Sequence, residues 1–359
     1  MNRLKKLKSF MEQEKLEAIF IADQYNMYYY TGYSGDTGIY YHGKSIRAIL
    51  TDGRYITQAN EETDGTIEII DVGANRGYYR LLAELAKKDG VKQLGFQDDL
   101  MTVATHRTAV EAFADVELVP IKGQLDYLRT IKDEGEINKI RQAQKITDAA
   151  FGYLLENIRV GMTELEVAAM LEFFMKTNGA QNISFDTIAV SGLNGSRPHG
   201  VPGNKRLETG DFVTTDFGCL FDRYCSDMTR TFVIGEASDR QKDIYYTVLA
   251  AQKKGIETAR AGLTGKEVDK AARSIIEQKG YGDYFVHSLG HSVGLYIHES
   301  PNFSKLEERV MQPGMIMTVE PGIYIPDFGG VRIEDMILIT ENGCEDLTGA
   351  PKDTLIEIR

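Results

Sequence analysis

Along the first third of the chain, the spacing of hydrophobic and polar positions switches repeatedly between two periods. Leu4, Leu7 and Met11 recur at helical spacing in a segment dense in charge, which predicts an amphipathic helix and not a signal peptide. Apolar runs at 16–22, 38–41, 46–51 and 67–72 predict strands, and the stretches 78–88 and 101–113 predict helices. The alternation implies an α/β domain over residues 1–124. Proline marks a change, since none of the eight precedes Pro120 and six lie between Pro198 and Pro326. A polar stretch at 120–136 leads into the second domain, 125–359. There Ile137, Ile140, Ala143 and Ile146 form one stripe of a long helix, and further helical patterns cover 163–176, 238–260 and 264–278. Strand-like runs occupy 212–217, 227–234, 315–319 and 331–339. Their hairpin-sized gaps and glycine punctuation predict an α+β domain with an antiparallel sheet.

Charge narrows the functions open to such a chain. Lys and Arg total 41 and Asp and Glu 53, a net charge of −12. This disfavours binding to nucleic-acid phosphates or to anionic membranes, both of which need cationic partners. No run of about 18 apolar residues occurs, so no transmembrane helix is expected. The three cysteines (Cys219, Cys225 and Cys344) lack metal-ligand spacing and fit a reducing, cytoplasmic compartment, with Cys219 expected in the core.

Three motifs match patterns but fail on context. Gly38, Gly43, Lys44 and Ser45 fit a P-loop, but residues 46–51 read as a strand where a P-loop needs a helix, so a hairpin turning at 42–45 is expected instead. Gly290, Ser292 and Gly294 fit a nucleophile elbow, yet the only histidine after the serine is His298, six residues on. Asp216-Phe-Gly has no kinase catalytic loop before it. The tyrosines between Tyr25 and Tyr33 are read as packing.

The chemistry concentrates elsewhere. Asp216 and Asp227 lie inside apolar strands, and a two-residue turn at Phe221 and Asp222 would set them directly opposite each other, with Cβ atoms ~5 Å apart. Glu320 and Glu334 repeat the pattern, paired by a hairpin centred near Asp327. Four carboxylates in strand interiors are costly to bury without cations, and two divalent ions would balance them. His291 supplies a nitrogen. An oxygen-rich set with one imidazole suits Mn²⁺ or Co²⁺ better than a structural zinc.

These residues carry a resemblance. The stretches RTIKDEGEINKIRQAQKITDAAF, FDTIAVSGLNGSRPHG, DFVTTDFGCLFDRYCSDMTRTF, GYGDYFVHSLGHSVGLYIHESP, TVEPGIYIP and GGVRIEDMILIT occur in an order similar to the pita-bread metallopeptidases, specifically the Xaa-Pro peptidases (prolidase and aminopeptidase P). The N-terminal half resembles their creatinase-type domain. The resemblance implies an α/β creatinase-like domain followed by an α+β pita-bread catalytic domain. It also implies a site of two divalent ions, Mn²⁺ first with Co²⁺ or Zn²⁺ as alternatives, held by Asp216, Asp227, His291, Glu320 and Glu334. The implied reaction is attack of a hydroxide shared by the two metals on the bond preceding proline, in di- or oligopeptides with proline second. Glu320 would then be general base, His199 and His298 would hold the scissile carbonyl, and Arg332 and Tyr324 would orient substrate. His287 is read as pocket or structural; His42 and His106 receive no role. A homodimer is implied.

One departure bears on substrate length. Where archaeal-type prolidases carry an arginine that grips the substrate carboxylate, this chain has Asn302, with Lys305 or Arg309 as possible replacements. That raises the prospect of aminopeptidase P activity on longer peptides. A non-catalytic pita-bread binding protein, a creatinase-like C–N hydrolase and a methionine aminopeptidase are the alternatives. The complete ligand set counts against the first two and the extra domain against the third.

Overall fold

In the computed structural model, which describes residues 3–73 and 77–359, the N-terminal part builds one six-stranded sheet from short strands. These are β1 (Ala18–Ile21), β2 (Ile39–His42), β3 (Arg47–Thr51), β4 (Glu68–Asp71), β5 (Gln93–Phe96) and β6 (Glu117–Pro120). They stand in the order β4-β3-β2-β1-β5-β6. The β2–β3 hairpin pairs His42 with Arg47, so the P-loop-like residues form a turn, and Lys44 and Ser45 donate backbone N–H groups to Asp89. Leu81, Leu82 and Leu85 of the helix Tyr78–Lys88 sit one or three to four residues apart, and pack with Phe20, Phe96 and Phe113. Tyr29, Tyr30 and Tyr33 are buried. This unit spans Met1–Leu128.

The second unit, Arg129–Arg359, begins its four long helices alike. Glu134–Asn157, Glu164–Thr177, Asp239–Thr258 and Gly265–Gln278 each open on a capping box: Asp133 with Glu136, Thr163 with Glu166, Ser238 with Gln241, and Thr264 with Glu267. Each box satisfies backbone N–H groups that the first helical turn leaves open.

Two sheets position the site. One has four strands in the order Glu357–Ile358, Met228–Ile234, Phe212–Phe217 and Ile188–Ser191. The other has five, in the order Glu299–Phe303, Gly290–Ser292, Ile316–Val319, Asp335–Ile339 and Cys344–Asp346. A two-stranded ribbon, Gly322–Ile325 with Gly329–Arg332, extends the hairpin of the second sheet. Alternate residues of the strands at 212–217 and 228–234 feed different cores. Val213, Phe217, Met228 and Phe232 join a cluster with Phe151 and Leu171, whereas Phe212 and Val233 join one with Met317, Val319, Ile323 and Ile337.

The two predicted acid pairings fare differently. The ladders Val319 with Asp335 and Gly322 with Arg332 share one register, which sets Glu320 across from Glu334, as the turn near Asp327 predicts. The other hairpin turns at Asp222 and Arg223, pairing Phe221 with Tyr224 and Asp216 with Thr229. Asp227 is therefore diagonal to Asp216 and not directly opposite, although still on the same face. The shift arises because Asp222 and Arg223 both take positive φ, 46° and 69°, a conformation that aspartate accepts readily but that arginine does not announce.

Candidate metal centre and active site

The acidic residues collect where the two sheets meet. Asp216 is next to last in one strand of the first sheet and Asp227 immediately precedes its neighbour; His291 lies in Gly290–Ser292, and Glu320 and Glu334 sit at the breaks between the five-stranded sheet and the ribbon. These breaks free both glutamates from the ladder, and Glu320 N and Glu334 N bond instead to Leu289 O and Thr229 O. One ligand atom each from Asp227, His291 and Glu334 fall within 4.8 Å of one another. His291 Nε2 lies 3.5 Å from both Asp227 Oδ2 and Glu320 Oε1.

Hydrogen bonds fix the polarity of the imidazole. His291 Nδ1 lies 3.1 Å from the Ser292 carbonyl, which can only accept, so Nδ1 carries the proton and Nε2 presents its lone pair to the acids. Burial, reinforced by His298, lowers the pKa of His291 to about 4, which keeps the ring neutral. Burial also pushes Asp227 and Glu334 well above the ordinary carboxylate range, aided at both by Asp216 and Glu320 and at Glu334 by Asp227 as well. Glu320 rises to about 8, from burial first and then from Asp216.

Among the described residues lining the site, one guanidinium faces these acids. Arg332 donates from Nη2 to Asp216 Oδ2 at 2.6 Å, from Nη1 to the Tyr324 hydroxyl at 2.6 Å, and from Nε to Thr229 Oγ1 at 3.0 Å. Thr229 Oγ1 in turn donates to Glu334 Oε2 at 2.7 Å. The other Asp216 oxygen, Oδ1, is buried and accepts no hydrogen bond. Four clustered carboxylates, one guanidinium, a bare carboxylate oxygen and a neutral imidazole lone pair together fit divalent cations.

The acids form the floor of a cavity of about 330 Å³ lined also by Phe185, Ile188, Pro198 and Asn302. The exposed His199 and His298 line its rim, and the His298 ring packs edge-on against His291 at 4.6 Å. Tyr324 stands behind Arg332. Its hydroxyl donates to His287 Nε2 at 3.0 Å, because His287 Nδ1 is committed as donor to the Ser288 carbonyl at 2.7 Å. His287 thus lines the cavity while orienting Tyr324, which joins the two sequence readings of that residue. Neither Lys305 nor Arg309 is brought to this cavity: Arg309 is paired with Glu307 at 2.5 Å, and Lys305 lines a separate surface groove. His42 and His106 lie in the N-terminal unit, and Cys219 is buried in a core.

Sequence comparison agrees with this geometry. The model of metallopeptidase family M24 matches residues 138–341, and that of the creatinase/prolidase N-terminal domain matches 3–131. The chain belongs to metallopeptidase family M24, with the creatinase-type domain ahead of the pita-bread one. It is 41% identical to a Xaa-Pro dipeptidase of Pyrococcus horikoshii, an alignment covering 98% of each chain. Among solved structures, a Xaa-Pro dipeptidase from Bacillus anthracis superposes with a TM-score of 0.94 at 42% identity, covering 99% of both chains. An X-Pro aminopeptidase from Thermotoga maritima superposes with a TM-score of 0.89 at 36% identity, covering 97% of this chain and all of that one.

Proposed function

We propose that this protein is a divalent-metal Xaa-Pro peptidase, cleaving the bond between an N-terminal residue and a following proline in di- and oligopeptides. The observation that carries the reading is the convergence of Asp227, His291 and Glu334, beside Glu320 and Asp216, on the floor of a cavity rimmed by two histidines. These five side chains would hold two ions, Mn²⁺ foremost, and the bound ions would supply water of lowered pKa and polarisation of the substrate carbonyl.

The chain's own residues do the rest. His199 and His298, at the rim, hold the scissile carbonyl oxygen and the charge that develops on it. Glu320 takes a proton from the attacking water and delivers it to the proline nitrogen as the bond breaks. That nitrogen belongs to a tertiary amide without N–H, so recognition falls to the shape of the apolar wall formed by Phe185, Ile188 and Pro198. Arg332 fixes Asp216 and Tyr324 and is the only lysine or arginine among the described residues lining the cavity. A free substrate carboxylate therefore meets no uncommitted cation there, and tripeptides are turned over at least as well as dipeptides. The working form is a cytoplasmic homodimer.

The test compares X-Pro with X-Pro-Y peptides on manganese-loaded protein, alongside E320A and chelated samples and a light-scattering mass. Hydrolysis should require both metal and Glu320. Turnover that persists in metal-free protein overturns the reading.

A further inference from the structure

Beneath the loop that carries His298 lies a buried charge cluster unrelated to the metal-site acids. Glu299 is 4% exposed, and its carboxylate accepts from Arg129 Nη2 at 3.2 Å, from Lys132 Nζ at 3.1 Å, and from Tyr296 N at 3.3 Å. Arg129 and Lys132 are 3% and 5% exposed, and both come from the segment that opens the second unit, some 170 residues earlier in sequence. Lys132 Nζ also donates to Ser292 Oγ at 3.1 Å. Ser292 and Glu299 are ladder partners that begin and end the excursion 293–298. One ammonium group thus ties both feet of this loop, with His291 just before the first foot and His298 just before the second. Gly294 packs over the knot, where an added Cβ would come within 2.7 Å of the Glu299 carboxylate oxygens and carbon.

A buried carboxylate holding two buried cations is costly to assemble for stability alone, since a well-packed apolar set does as well or better. Here the cluster joins points distant in sequence and fixes the separation of the two histidines. We infer that the Arg129–Glu299–Lys132 cluster, bridged to Ser292, is a positioning unit that holds His298 at the substrate carbonyl. The inference rests on the rim role given to His298 above. A loop left loose by ~1 Å would cost up to about a hundredfold in turnover.

The test uses K132M, which leaves Arg129 to pair with Glu299, and S292A, which retains every charge and cuts only the bridge. Each variant, manganese-loaded, should lose roughly 10- to 100-fold in kcat on an X-Pro-Y peptide with KM changed less than about threefold. In an H298A background K132M should cost almost nothing further, because the unit acts through His298. Hydrogen exchange at 293–298 should quicken in both variants while the strands at 212–217 and 228–234 stay protected. Wild-type kcat in K132M, or losses that multiply in H298A, overturn the inference. If the wild-type chain cleaves no Xaa-Pro peptide, the proposed function falls by itself. Exchange then decides the clamp, which stands if 293–298 loosens selectively and falls if it does not.

Discussion

Gly290 sits between the metal-site histidine and the strand that leads to Glu320, and replacing it with alanine should damage the site more than the fold. A Cβ there would collide with the Thr318 carbonyl oxygen and lie 2.7 Å from its carbon. Carbon atoms in contact stand ~3.5–4.0 Å apart, so the strands must part by about 1 Å. The atoms in the way are backbone and cannot rotate aside. The same displacement stretches the bond from His291 N to Thr318 Oγ1, 3.0 Å, a hydroxyl that in turn donates to Glu320 Oε1 at 3.3 Å. Overpacking of this kind costs about 1–3 kcal/mol, or roughly 3–10 °C in melting temperature for a domain of this size. A 1 Å shift of catalytic groups costs about a hundredfold in rate. G290A should therefore melt within that range below wild type yet lose about a hundredfold in kcat/KM on an X-Pro-Y peptide, with weakened manganese binding by calorimetry. G152A is the control. Gly152 lies within the helix Glu134–Asn157 with open space at its Cβ, and alanine there should stabilise by about 0.5–1 kcal/mol without changing kcat. If G290A melts with wild type and retains activity within twofold, the argument from close backbone approach is refuted.

Three other outcomes are expected. Manganese at a hundred times its dissociation constant should stabilise the chain by about 2.7 kcal/mol, raising the melting temperature by roughly 5–10 °C over an EDTA-treated sample; identical melts would deny a cation site. R332K should lose about a hundredfold or more in kcat/KM despite keeping its charge, since a single ammonium cannot replace a fork that reaches Asp216, Tyr324 and Thr229; near-normal kinetics would show that charge alone suffices. Burial lowers the pKa of His42 from 6.5 to about 4, so between those values the unfolded chain binds the proton that the folded chain refuses. The stability of the N-terminal unit should consequently fall on acidification from about pH 6.5 to 4, by on the order of 3 kcal/mol, and H42Q should flatten that dependence in urea melts; parallel pH profiles for the two proteins would contradict it.

Much of the site could be read from one strand-level fact: carboxylates placed inside apolar runs. The Glu320–Glu334 register was legible because one turn near Asp327 governs both ladders. The Asp216–Asp227 register was misplaced because Arg223 occupies a left-handed turn position more typical of glycine or asparagine. The strands Gln93–Phe96 and Glu117–Pro120 escaped the pattern, since Gly95 interrupts one apolar run and Pro120 closes the other. So did the helix Gln24–Thr31, whose tyrosines and amides leave no contrast between its faces. The partners of Glu299 were beyond reach for another reason. Arg129 and Lys132 look like solvated charges in a polar connection, and only the folded chain brings them beneath a histidine far along the sequence.

The second unit keeps two oily interiors, one on either face of the four-stranded sheet, and its metal-site residues come from that sheet and from the five-stranded one packed against it. Asp216 and Asp227 arrive with the four-stranded sheet, and His291, Glu320 and Glu334 with the five-stranded one and its ribbon. Cations held by residues of both sheets would act as rivets through two plates. Stripping them would remove a cross-brace as well as a reagent, so chelation should quicken proteolysis where the two sheets meet.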